Sequence, residues 1–158
     1  MTTHLVIGDT QSKPGSPTEH IEALVELIDE RRPDVIVHIG DNWDMESLSS
    51  YDEGTFLMEG RRIKDDIDAG NETMQIIDEG IANIKRYEPR RVFTVGNHEG
   101  RIERFLNEHP KFNDFLGYDD LELDNWEVIP FLEIVNIDGL RYSHYFANPF
   151  TGRPYGGS

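Results

Sequence analysis

The sequence has no cysteine and is short of basic residues. Its 158 residues include 15 Lys and Arg against 31 Asp and Glu, so the formal net charge at pH 7 is −16. The absence of cysteine excludes a disulfide framework, a thiolate zinc site and a cysteine nucleophile. The excess of acid argues against binding nucleic acid through a basic face, because an acidic surface repels phosphate backbones. Such a chain can still handle phosphates if divalent metals lie between its carboxylates and the substrate.

Long apolar runs are also missing. No segment approaches the roughly 18 apolar residues of a membrane span, and the amino terminus lacks the pattern of a signal peptide. The length suits one domain, and hydrophobic residues make up 37% of the chain. We therefore expect a single acidic globular domain over residues 1–158, located in the cytoplasm and without membrane contact.

The first forty residues predict a β-α-β unit. Apolar runs at 4–8 and 35–39 are typical of buried strands, and each ends in Gly-Asp. Between them, the capping-box pattern at 16–19 and an apolar stripe behind it predict a helix that runs to about Arg32. Two strands joined in this way are expected to be parallel neighbours.

The remainder continues this α/β pattern and ends in a hairpin. An irregular connection at 42–59 precedes a helical pattern at 61–87, where Gly70 predicts a break. Further elements are expected at 91–95 (strand), 101–109 (helix) and 128–129 (short strand), followed by hairpin strands at 131–137 and 140–146 around Asp138-Gly139. The predicted fold class is α/β: a parallel sheet with helices on its faces and a carboxyl-terminal antiparallel hairpin.

Polar side chains follow the ends of these strands. Asp9, Asp41, Asn97, His98 and His144 each lie at or just beyond a predicted strand end. In open α/β sheets, ligands bind beyond the carboxyl ends of the strands, so these groups are expected at one edge. Carboxylate, amide and imidazole ligands suit Mn²⁺, Zn²⁺ or Fe. Two such ions about 3.5–4 Å apart form a common phosphoesterase site.

Four motifs follow one another along the chain: Asp9-Thr10-Gln11, Gly40-Asp41-Asn42, Gly96-Asn97-His98-Glu99, and His144. They resemble the ordered motifs of the calcineurin-like metallophosphoesterases, and residues 96–101 resemble bacteriophage-type members in particular. The resemblance spans Asp9 to His144, which is nearly the whole chain.

The resemblance implies a centre for two divalent metals, with Mn²⁺ favoured and Zn²⁺, Fe and Ni²⁺ as alternatives. Asp9 and Gln11 would bind the first metal, Asp41 would bridge both, and Asn97 and His144 would bind the second. Gln11 stands where the family usually has His, and the closing G-H-x-H motif of the family is absent after His144. We therefore expect each metal to be one protein ligand short, and the domain to lack its carboxyl-terminal portion as an incomplete four-layer αββα sandwich.

The same resemblance implies substrate contacts. His98 would face the substrate, either protonating the leaving oxygen or stabilising the transition state. Asn42 and Arg101 are candidate substrate-binding residues, and Arg101 either pairs with Glu99 or reaches a phosphate. The expected activity is hydrolysis of phosphate mono- or diesters, with a nucleotide, a short nucleic acid or a phosphoprotein as substrate. A phage-encoded enzyme would act in the host cytoplasm.

Alternatives stand beside these interpretations. The chain could be a catalytically degenerate member of the fold that serves as a binding or regulatory module. Asp9 alone could cap a turn, Gln11 could be a solvated loop residue, and His144 could be a structural histidine. A partner is also expected, either a second copy of the chain or a carboxyl-terminal fragment that completes the site.

Overall fold

The computed structural model describes residues 2–155, in which three α-helices and six strands form an α/β fold. The predicted fold class is thereby confirmed. The helices are α1 (Glu19–Arg31), α2 (Ile63–Asn83) and α3 (Gly100–Glu108). The strands are β1 (His4–Ile7), β2 (Val35–His38), β3 (Arg90–Thr94), β4 (Glu127–Ile129), β5 (Val135–Ile137) and β6 (Leu140–Tyr142).

Four strands form a parallel sheet in the order β1-β2-β3-β4. The alternation of side chains along β2 divides the core in two. Ile36 packs with residues of α1 and α2 in a large cluster, whereas Val35 and Val37 pack with Ile137 of the hairpin in a smaller one. The helices therefore cover one face of the sheet and the β5–β6 hairpin covers part of the other, which buries β2 on both faces.

The start of α1 corrects the predicted capping box. The helix begins at Glu19, and its flanking residue Thr18 makes no side-chain capping hydrogen bond. Ser16 lies in the preceding turn, where its Oγ accepts the N–H of Lys13 at 3.3 Å. The pattern of residues 16–19 correctly predicted the start of a helix, but the residue that flanks the helix is Thr18 and not Ser16.

The break predicted at Gly70 does not occur. Helix α2 runs unbroken from Ile63 to Asn83, and Gly70 is buried within it. A Cβ at this position would collide with the ring of Trp43, which is itself fully buried. Gly70 is therefore a packing glycine, and the burial of the indole offsets the helical cost of about 1 kcal/mol that glycine carries.

The hairpin is shorter than predicted. Its strands turn at Asp138 and Gly139, which have φ angles of 51° and 86°. This is the left-handed geometry of a two-residue hairpin turn. Because β6 ends at Tyr142, His144 lies just beyond the strand and not within it. None of the helices in residues 2–155 is long and apolar enough to cross a membrane.

Candidate metal centre

The predicted site residues meet at the carboxyl edge of the parallel sheet. β1, β2 and β3 run in register, so the segments after Ile7, His38 and Thr94 leave the sheet side by side. Ligand atoms of Asp9, Asp41 and His144 all lie within 4.8 Å of one another. Asp41 is 3% exposed, whereas Asp9 is open to solvent. The cluster is therefore buried on the Asp41 side and accessible on the Asp9 side.

His144 presents an electron-pair donor to this cluster. Its Nδ1 lies 2.6 Å from the carbonyl oxygen of Ile39, so a neutral imidazole donates there and keeps its lone pair on Nε2. That Nε2 faces the Asn97 Oδ1 at 2.9 Å and the Asp41 Oδ2 at 3.5 Å. A backbone carbonyl that fixes the ring in this way is typical of histidines that bind metals.

The donor set fits a divalent cation. The carboxylates of Asp9 and Asp41 lie close together and repel each other, and a cation between them removes the repulsion. Two carboxylates, an amide oxygen and an imidazole are suited to Mn²⁺, Zn²⁺ or Fe. Asp9, Asp41, Asn97 and His144 are thus the residues that would hold metal, as the sequence predicts, and their occupancy stays a prediction.

The backbone around Asp41 is held in an unusual conformation. Asp41 has a φ of 53° and follows Gly40, whose φ is 93°. A Cβ on Gly96 would collide with the Asp41 side chain, so only glycine leaves room for the carboxylate. Non-glycine residues in the left-handed region cost about 1–3 kcal/mol and are concentrated at functional sites.

A buried carboxylate, Glu99, supports this conformation. It is fully buried, and its two oxygens accept the main-chain N–H groups of Asp41, Asn42, Trp43 and Gly96 at 2.7–3.0 Å. Burial raises the pKa of Glu99, and the charge of Asp41 raises it further, whereas the N–H donors oppose the shift. This supporting role of Glu99 was not predicted from its motif, Gly96-Asn97-His98-Glu99.

His98 points its ring between two aspartates. Its main-chain N–H donates to Asp41 Oδ1 at 2.9 Å, and its Nδ1 lies 2.8 Å from the Asp44 carbonyl oxygen and 2.9 Å from Asp44 Oδ1. The opposite nitrogen, Nε2, lies 3.9 Å from Asp41 Oδ2 at the side of the candidate metal ligands. Asp44 therefore orients the imidazole. Sequence reasoning missed Asp44, because its contact with His98 spans 54 residues.

Arg101 is anchored beside the same imidazole. Its Nη1 donates to the carbonyl oxygens of Asp44 and Met45 at 2.8 and 3.1 Å, and its Nη2 lies 3.3 Å from His98 Nε2. Of the two roles left open for Arg101, pairing with Glu99 is not observed among the described contacts. The other role, contact with a phosphate group, stays a prediction.

Two predicted site residues are placed differently. Asn42 is fully buried; its amide nitrogen donates to Gly70 O at 3.0 Å, and its oxygen accepts the Thr10 hydroxyl at 2.7 Å. Asn42 therefore does not reach the open side of the site, because its amide joins α2 to the loop after β1. The side chain of Gln11 is exposed, and its main-chain N–H donates to the Asp41 carbonyl at 2.9 Å. Its ligand role stays a prediction.

His38 is a buried polar residue beneath the carboxyl edge of the sheet. The ring is fully buried, and burial lowers its pKa to about 3, with His144 adding to the effect. Nδ1 accepts the Gly40 N–H at 3.2 Å, and Nε2 lies 3.3 Å from the Thr10 hydroxyl. His38 is therefore a neutral histidine of the core.

The comparison with protein families agrees with this geometry. The model for the calcineurin-like phosphoesterases matches residues 2–152. The chain belongs to the calcineurin-like phosphoesterase family. Membership confirms the family that the motifs indicated, although the bacteriophage-type subgroup stays a prediction. Comparisons with curated proteins and with solved structures gave no match.

Family membership indicates metal-dependent hydrolysis of phosphate esters for this phosphoesterase. The Asp9, Asp41 and His144 cluster is a candidate site for the divalent metals that such proteins use.

Proposed function

We propose that this phosphoesterase hydrolyses phosphate mono- or diesters with two divalent metal ions, of which Mn²⁺ is favoured. The observation that carries the proposal is the convergence of Asp9, Asp41 and His144 beside His98, whose ring Asp44 orients. When bound, the ions supply Lewis-acid charge stabilisation to phosphoryl oxygens and lower the pKa of water. Asp9 and Gln11 would hold one ion, Asn97 and His144 the other, and Asp41 both.

The chain's own residues would orient the ester and manage its leaving group. His98 places Nε2 at the side of the candidate ligands, where it can protonate a leaving oxygen or stabilise charge on it. Asp44 holds the opposite nitrogen and balances the charge of a protonated ring. Arg101, fixed by two carbonyls, offers the guanidinium that an anionic ester needs on a chain of net charge −16.

Hydrolysis of p-nitrophenyl phosphate and bis(p-nitrophenyl) phosphate tests this proposal. We expect Mn²⁺-dependent turnover of at least one ester and loss of both turnover and most metal binding in Asp41→Asn, because an amide cannot supply charge to two ions. Asp119→Asn, which makes the same change on an exposed residue of a short 3₁₀ helix, is the matched control and should keep both. Full metal occupancy in Asp41→Asn, measured by calorimetry, would contradict the bridging role.

A second candidate function is a binding or regulatory module that holds metal without turnover. Two observations favour it: Gln11 replaces the usual histidine, and the His, Asp and Glu groups that cluster tightly enough for a metal in residues 2–155 are Asp9, Asp41 and His144. Metal binding that Asp41→Asn abolishes, with no hydrolysis of either ester, would select this alternative. The expected partner, a second copy or a fragment that adds ligands, stays a proposal.

A further inference from the structure

A cavity of about 220 Å³ lies between residues 47–58 and helix α3, next to the candidate catalytic histidine. Arg101 connects the two places: it lines the cavity, and its Nη2 lies 3.3 Å from His98 Nε2. None of the candidate metal ligands lines the cavity. A group bound there would therefore lie on the His98 side of a substrate whose phosphoryl group is at the metal centre.

The lining combines two ring side chains and apolar surface with hydrogen-bond donors. Phe105 and His109 both line the cavity, and their ring centroids are 4.7 Å apart. Leu48 and Met58 add apolar surface, and Arg104 adds an exposed guanidinium. Rings of this kind stack with planar groups, and the guanidinium donates hydrogen bonds to acceptors on them.

The size and the charge of the cavity restrict the kinds of ligand that it can bind. Pockets for drug-sized ligands run from about 300 to 1,000 Å³, so this smaller cavity suits one planar ring system and not a folded segment of a partner. Glu53 and Glu108 also line it beside Arg101 and Arg104, so its charge is nearly balanced. The cavity is therefore suited to a neutral ring with acceptor atoms, and poorly suited to a second phosphate.

We propose that this cavity receives the leaving group of the ester and selects leaving groups built on one planar ring system with hydrogen-bond acceptors, such as a nucleoside. The inference rests on the proposed function, because a proton donor must be next to the leaving oxygen, and His98 is the candidate donor. The alcohol released from that oxygen would then extend past Arg101 into the cavity, against Phe105 and His109.

The test compares two esters that both release a primary alcohol, adenosine 5′-phosphate and glycerol 1-phosphate. The readout is the ratio of their kcat/KM values for the Mn²⁺-loaded full chain, from released phosphate. Ser50→Trp fills the cavity from an exposed lining position, and Arg104→Ala removes its guanidinium. Arg31→Ala makes the same charge change on the exposed surface of α1 and is the matched control.

We expect the wild-type chain to prefer adenosine 5′-phosphate and Ser50→Trp to lower the ratio by about tenfold or more, a typical effect of losing pocket contacts. Arg104→Ala should lower it in the same direction, and Arg31→Ala should keep it. If Ser50→Trp does not fold, as judged by circular dichroism, Arg104→Ala decides. Equal ratios in the wild type and both cavity variants would overturn the proposal while the proposed function stands.

A second readout is independent of turnover. Calorimetry with adenosine 5′-phosphate and the full chain without added metal should show binding that Ser50→Trp weakens and Arg31→Ala retains. If the wild type hydrolyses neither ester but binds in this way, the cavity assignment stands and monoester hydrolysis fails. If it neither hydrolyses nor binds, or if binding is unchanged in Ser50→Trp, the cavity assignment is wrong.

Discussion

Replacing Glu99 by glutamine tests how the site is held in place. Its Oε2 accepts the N–H groups of Asp41 and Gly96 at 3.0 and 2.9 Å, and its Oε1 accepts those of Asn42 and Trp43 at 2.7 and 3.0 Å. Glutamine keeps one oxygen and turns the other into an NH₂ group. Two buried N–H donors would then face a donor in place of an acceptor.

The magnitude follows from those two donors. A buried donor without an acceptor costs about 1–3 kcal/mol, so the gross loss is about 2–6 kcal/mol. The neutral amide recovers part of this, because burial and Asp41 make the Glu99 charge costly and raise its pKa. We expect the free energy of unfolding to fall by about 2–4 kcal/mol, a large share of the roughly 5–15 kcal/mol of a typical domain.

Urea denaturation measures the change. With a typical slope of about 2 kcal/mol per M, the midpoint should fall by about 1–2 M. Glu79→Gln makes the same substitution on an exposed position of α2 and should stay within about 0.5 kcal/mol of wild type. Because Glu99 holds the Asp41 main chain, metal affinity should fall as well. A Glu99→Gln chain with wild-type stability and metal affinity would refute the view that this carboxylate supports the site.

Three further predictions concern catalysis, packing and pH. His98→Ala should lower kcat by about 10²–10⁴-fold without changing the metal content. The loss should be smaller for p-nitrophenyl esters, because their leaving group needs no protonation. Asp44→Asn should also lower kcat. Loss of metal from His98→Ala, by elemental analysis, would make His98 a ligand. Gly70→Ala should lower the free energy of unfolding by about 1–3 kcal/mol, because a Cβ collides with the Trp43 ring; an unchanged urea midpoint would show that the indole can move. The folded-state pKa of His38 is about 3, below its ordinary 6.5, so the stability it contributes is complete above pH 6.5 and is lost as pH falls toward 3. The decline in melting temperature over that range should be smaller in His38→Gln, and an equal decline would count against a neutral buried ring.

The sequence by itself determined the strand and helix order and the edge at which the site forms. Those features depend on local patterns: apolar runs of strand length, the 3.6-residue spacing of helices, and the Gly that ends a strand before Asp9, Asp41 or Asn97. Parallel strands joined by helices bring their carboxyl ends to one edge of the sheet. The proximity of Asp9 and Asp41 therefore followed from the order of the elements alone. Short-range patterns were less reliable for exact boundaries, as Thr18 shows at the start of α1.

Only the tertiary structure decided which polar side chains support the site and which ones face it. Glu99 meets the Asp41 main chain across 58 residues, His98 meets the Asp44 carbonyl across 54, and His144 meets Ile39 across 105. Such contacts depend on how elements pack, and no local spacing in the sequence encodes them. For the same reason Asn42, which the motif placed at the substrate, is buried, because packing of α2 brings Gly70 against its amide. A buried polar group must find its hydrogen-bond partner wherever the fold supplies one, so these roles are determined by the packed structure and not by the motif.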